Sequence, residues 1–156
     1  MNGLIKIPLY KVIYNNARYY NKGSILLSEN VFQGRCDGDY IAPSILCFSF
    51  CIEMLLKSLI VIKLDNVFTI KELKNSPINL RGHSYIELFN KIDNDIQISI
   101  TETYHKLYGR LITIDGFRDK LMKLGSRNFE KWRYIYETGK REELNCKLLT
   151  TISDSL

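Results

Sequence analysis

Apolar side chains recur at intervals of three and four along most of the chain, the spacing that lines one face of an α-helix. From about Tyr10 to Asn30 the stripe is Ile13, Ala17, Tyr20, Leu27 and Val31, which predicts a first helix. Gly34, Asp37, Gly38 and Asp39 break the pattern. A second helix is expected from about Pro43, a residue favoured in a first turn, to about Leu64. It is apolar nearly all round, as a helix surrounded by protein would be. A long connection follows from Asp65 to Gly82, with a short helix around Ile70 to Leu73 and a loop marked by Asn75, Ser76, Pro77 and Asn79.

Ser84 with Glu87 three residues later has the form of a capping box, and Tyr85, Leu88, Phe89 and Ile92 then share a face, so a third helix opens there. Between Asp95 and Leu111, Ile96, Ile100, Tyr104, Leu107 and Leu111 fit a helix, while Ile96, Ile98 and Ile100 alone alternate as a strand would; helix is the reading adopted. Phe117 to Leu124 predicts a further short helix ended by Gly125. Phe129, Trp132, Arg133 and Tyr136 form another face, and Leu144, Leu148 and Ile152 predict a last amphipathic helix. The fold class expected is all-α, an antiparallel bundle of five or six helices over residues 1–156 as one domain.

Composition changes this picture little. At 156 residues, 46% hydrophobic and 25% charged, the chain is long enough for a real core and has no biased tract that predicts disorder. The apolar stretch from Ile41 to Leu64 resembles a membrane span in length, but Glu53 and Lys57 fall near its middle, where charge is costly in lipid, so no membrane insertion is expected. Cys36, Cys47, Cys51 and Cys146 lack zinc-ribbon spacing, and no secretory leader is read ahead of them. They are expected to be reduced, cytosolic and largely core residues, with no metal and no cofactor. The net charge of +5 favours polyanions. Its densest stretch holds Arg118, Lys120, Lys123, Arg127, Lys131 and Arg133 against Asp119 and Glu130, which makes it the expected nucleic-acid patch.

Three polar blocks stand out. Glu53 and Lys57 lie one turn apart in the favourable order inside an apolar helix, where charges need partners or water; the competing reading is a solvated helix edge. His83, in Arg81-Gly82-His83-Ser84, stands at a helix entrance, suited to bridging two helices or, more sharply, to exchanging protons. Arg133, within Trp132-Arg133-Tyr134-Ile135-Tyr136-Glu137, offers a planar fork of donors to a phosphate, to a carboxylate such as Glu53, or to Glu137.

These blocks, in this order, resemble the HEPN superfamily of small helical domains. The matching residues are Ala17 in the first helix, Glu53 and Lys57 in the second, Gly82-His83 before the third, and Phe129 followed by Arg133-Tyr134-x-Tyr136-Glu137. The likeness runs from about Ile13 onward and fits an atypical bacterial branch. It implies a homodimeric helical bundle in a bacterial defence or toxin–antitoxin system, with RNA, a nucleotide or a partner protein of the same system as its target. Many such domains are metal-independent ribonucleases built on an arginine, four to six residues, then a histidine; neither His83 nor His105 has that arginine before it. The function expected is therefore binding or assembly in the cytoplasm. A ribonuclease using His83 and Arg133 is the alternative, with Glu53, Lys57, Arg81, Tyr134, Tyr136 and Glu137 as binding residues, and a scaffold or antidote-like partner without nucleic-acid contact is the third class.

Overall fold

A computed structural model describes residues 6–32, 40–64, 66–125 and 146–156. The described residues form seven helices and no strand: α1 (Leu9–Phe32), α2 (Ile41–Val61), α3 (Ile70–Leu73), α4 (Tyr85–Phe89), α5 (Asn94–Tyr108), α6 (Ile114–Leu124) and α7 (Cys146–Ser155). The architecture is an all-α bundle, with short α3 and α4 as additions to five longer helices. The alternation at Ile96, Ile98 and Ile100 belongs to helix α5, where Ile100 is buried and Ile98 exposed.

Helices α1 and α2 run antiparallel over most of their length, as their cross-links show. Ser58 Oγ donates to Tyr10 O at 3.1 Å, Ser44 Oγ donates to Ser24 O at 2.9 Å, and the rings of Tyr20 and Phe50 stack at 5.2 Å. Partner numbers rise on one helix as they fall on the other. Fully buried Ala17 packs with Cys51 and Leu55 at the middle of this pair, where a small side chain lets two backbones approach. Toward the other end, Leu9, Ile13 and Val61 close over Leu73 of α3.

The other face of α2 enters the main core. Phe48, Ile52 and Leu56, each one turn apart, meet Leu88 and Phe89 of α4, Ile100 and Tyr104 of α5, Phe117 and Leu121 of α6, and Leu149 and Ile152 of α7. Burying each such side chain contributes about 1.5–3 kcal/mol before the cost of ordering it. Although α2 is long and apolar enough to cross a membrane, 61% of that stretch is buried inside the protein. The burial accounts for its composition.

Local signals set several boundaries, sometimes at unexpected residues. The complete capping box is at Thr69 and Glu72: Thr69 Oγ1 accepts from Glu72 N–H at 3.1 Å, and Glu72 Oε2 accepts from Thr69 N–H at 3.1 Å. Ser84 caps α4 by accepting from Glu87 N–H at a longer 3.4 Å. Helix α5 ends at Gly109, whose left-handed backbone, with φ of 64°, turns the chain before Leu111. Leu111 consequently misses the core stripe expected of it and is 87% exposed, and Leu107, in the last turn of α5, is 53% exposed.

Candidate functional site

Ser49, Glu53 and Lys57 succeed one another at one-turn intervals along α2, a polar line along an otherwise buried helix. Glu53 is only 4% exposed, so it is no solvated edge. Its Oε1 accepts from Lys57 Nζ at 2.5 Å, and the Lys57 side chain is itself 15% exposed. The second carboxylate oxygen, Oε2, lies 3.0 Å from Nδ1 of His83, which sits just ahead of α4. Because an ionised carboxylate only accepts, this contact selects the imidazole form carrying hydrogen on Nδ1. The His83 side chain remains 53% exposed, so one buried acid grips both a shielded lysine and a half-open imidazole.

Two residues beyond His83, Tyr85 fastens the same join. Its hydroxyl donates to Ser49 O at 3.1 Å, one turn of α2 away from Glu53. Burial, with smaller contributions from nearby Glu53 and Cys51, pushes the phenol well above its ordinary range and keeps it a donor. The start of α4 is thus tied to α2 by two polar links, which accounts for the Gly82-His83 geometry. Gly82 has a φ of 102°, a backbone conformation that turns the chain into α4 and strains residues with a Cβ. Ser49 Oγ, beside this join, is the buried side-chain polar atom without a hydrogen-bond partner among the described residues.

Arg81 lines a cleft of about 410 Å³ between α3 and the segment leading to α4. Leu73, Ile78 and Leu80 give the cleft apolar surface, and Lys74, Asn79 and Arg81 give it polar groups. Lys91 Nζ donates to Asn79 O at 3.1 Å and to Arg81 O at 3.3 Å, which pins the segment to the end of α4.

Of the residues expected to act together, Glu53, Lys57 and His83 meet, and Arg81 lies two residues before His83. Arg133, Tyr134, Tyr136 and Glu137 lie outside the described residues, as do Arg127 and Lys131. The expected basic patch is divided where it is described. Arg118 donates through Nε to Asn90 Oδ1 at 3.0 Å, through one terminal nitrogen to Asp115 Oδ1 at 2.6 Å, and through the other to Gln97 Oε1 at 3.2 Å. Buried Gln97 in turn donates to Phe89 O at 3.0 Å and Ile92 O at 2.7 Å, satisfying carbonyls at the end of α4. Arg118 is therefore spent on joining α4, α5 and α6. Lys120, two positions on, lies on nearly the opposite side of α6, 5.3 Å from the centroid of the Tyr104 ring. Lys123 is exposed.

The Gln97–Arg118–Asn90 clamp was missed in the sequence because a lone polar residue in an amphipathic helix carries no signal of being buried. Cys51 is buried with Sγ 3.3 Å from Ser153 Oγ, and its thiol is raised by burial; Cys47 is half-buried and also raised by burial. Among the described residues no three of His, Cys, Asp or Glu are grouped as a metal site would require. Comparisons with models of protein families, with curated proteins and with solved structures each return no match.

Proposed function

We propose that the chain is a HEPN-like domain of a bacterial defence or toxin-type system, working in the cytoplasm as a homodimer that binds RNA or a nucleotide, alone or with a partner protein. The observation that carries this reading is the meeting of Glu53, Lys57 and His83, two motif blocks 30 residues apart brought to one carboxylate. In this reading the carboxylate is a structural lock that also holds the half-exposed imidazole of His83 beside the Arg81 cleft segment, where a phosphate or base is bound. Lys123, with Lys120 on the same side of α6, supplies attraction to the polyanion. RNA affinity that falls about tenfold or more between ~50 and ~200 mM salt is the expected result. Absence of binding at the lower salt removes the reading.

A metal-independent ribonuclease is the second reading, favoured by one contact. The Glu53 carboxylate orients the His83 ring from Nδ1, the relation an orienting acid has to a general base. Cleavage that survives a chelator and is lost in both His83→Ala and Arg133→Ala supports catalysis. Cleavage retained in either variant argues against the assigned roles.

A further inference from the structure

The sequence pattern of α1 was informative only for its buried stripe; the opposite face has a composition of its own. Lys11, Asn15, Arg18 and Lys22 follow one another at spacings of four, three and four, so they form one line along the outside of the helix, and all four are exposed. None of the three cations has an ion-pair partner among the described residues. Glu29, near the far end, is the one acid in the helix. Tyr14 and Tyr19 flank this line within a turn of Arg18 and are 45% and 68% exposed. From Lys11 to Lys22 the line extends about 16 Å at the helical rise.

Solvent exposure of two tyrosines costs apolar contact that the core offers elsewhere, and three cations without ion pairs along one line, Lys11 with only the Tyr10 ring 5.8 Å away, repel one another. Both costs are offset by a partner that is anionic at regular intervals and has flat apolar faces between its charges. Single-stranded nucleic acid has that chemistry: phosphates for Lys11, Arg18 and Lys22, bases to stack on Tyr14 and Tyr19, and donors or acceptors for Asn15. An anionic lipid surface matches the charge, and exposed Val12, Ile25 and Leu26 offer it some apolar area, but a helix that lies in a membrane inserts its main apolar stripe, and that of α1, Leu9, Ile13 and Ala17, is covered by α2. We propose that the outer face of α1 is a docking surface for single-stranded nucleic acid. This rests on the RNA-binding reading above and adds to it a surface distinct from α6.

The test measures binding of an oligouridylate to the full chain across a salt series, for wild type, a triple variant (Lys11→Gln, Arg18→Gln, Lys22→Gln), a double variant (Tyr14→Ala, Tyr19→Ala) and an α6 control (Lys120→Gln, Lys123→Gln). Melting of each variant is followed alongside, and exposed substitutions are expected to leave it near wild type. The triple variant is expected to lower the slope of log affinity against log salt by about 2, three contacts at ~0.7 each. The tyrosine variant is expected to weaken binding about tenfold or more at every salt concentration while leaving the slope unchanged. Wild-type binding that the α1 variants do not alter overturns the α1 surface and leaves the RNA-binding reading standing. Failure of wild type to bind overturns both, whereas α1-dependent binding to vesicles containing phosphatidylserine in preference to the oligonucleotide overturns the α1 surface alone.

Discussion

A carboxylate enclosed by apolar side chains is tolerated only while its charge is answered, and Glu53 is answered twice, by Lys57 and by His83. The two partners are not equivalent. Lys57 is largely shielded and shares the helix, so removing the acid strands an ammonium with little water around it, whereas His83 is half exposed and loses less. Glu53→Ala is therefore expected to destabilise by about 3 kcal/mol and His83→Ala by about 1 kcal/mol or less. Thermal melts of the two variants check this, and a larger loss for His83→Ala contradicts the assignment of Glu53 as the centre of the cluster. Ser49 supplies a contrast at the same join. Its carbonyl is used by Tyr85 but its hydroxyl is buried without a partner among the described residues, so Ser49→Ala is expected to remove a desolvation cost and no bond. Unchanged or raised melting is the outcome expected, and a loss above about 1 kcal/mol means that the hydroxyl has a partner after all.

Between elements, the clamp built from Gln97, Arg118 and Asn90 does for α4, α5 and α6 what Glu53 does for α2 and α4. Arg118→Ala leaves Gln97 Oε1 without its donor and frees Asp115, which is 86% exposed in its side chain and readily takes water instead. Gln97→Ala also orphans the carbonyl of Ile92 and takes one of two donors from that of Phe89, which keeps the Ile92 N–H. The Gln97 substitution is expected to cost about 2 kcal/mol and the Arg118 substitution about 1 kcal/mol, read from denaturant midpoints at unchanged m-value. Equal losses would mean that the backbone carbonyls gain nothing from Gln97. Much of the helix order was legible in the sequence: three-and-four spacing marks α1, α4 and α5, and α2 stands out as a helix apolar nearly all round. The convergence of Glu53 with His83 was legible as a question, because a charge inside an apolar helix demands a partner. Identity of that partner was not, since spacing along a chain says nothing of which helix crosses which. The same reason hid the commitment of Arg118 to internal bonds: a cluster of cations in sequence is distributed around a helix in space.

For the molecule as a whole, acids held neutral in the fold give stability a direction in pH, Tyr85 and Cys51 from the interior and Tyr108 from near the surface. Tyr85 is raised above the ordinary phenol by burial, Tyr108 is pushed up to about 12 by burial and by its bond to Asp154, and Cys51 is raised by burial despite the hydroxyl of Ser153. Each holds its proton more tightly when folded than when unfolded. Below their ordinary values, 9.0 for the thiol and 10.0 for the phenols, both states are protonated and the full contribution is present. Above these values the unfolded chain releases protons that the folded chain keeps, so stability falls as pH rises, through about 12 in the case of Tyr108. Lys63, raised by Asp93 and Asp95 at the surface, acts with the same sign but is screened by solvent. Melting temperature is expected to drop steadily above about pH 9, with up to ~1.4 kcal/mol of stability lost per pH unit for each of the buried groups Cys51 and Tyr85, and much less for Tyr108, which solvent screens. Tyr85→Phe separates this linkage from simple loss of a bond. At neutral pH the variant is expected to be about 1 kcal/mol less stable, because the hydroxyl bond to Ser49 O is lost. Between about pH 9 and pH 11 its melting temperature should fall less steeply than that of wild type, since one ionisable group has gone. Parallel profiles over that range would place the alkaline sensitivity elsewhere and leave Tyr85 as a packing residue with a hydrogen bond.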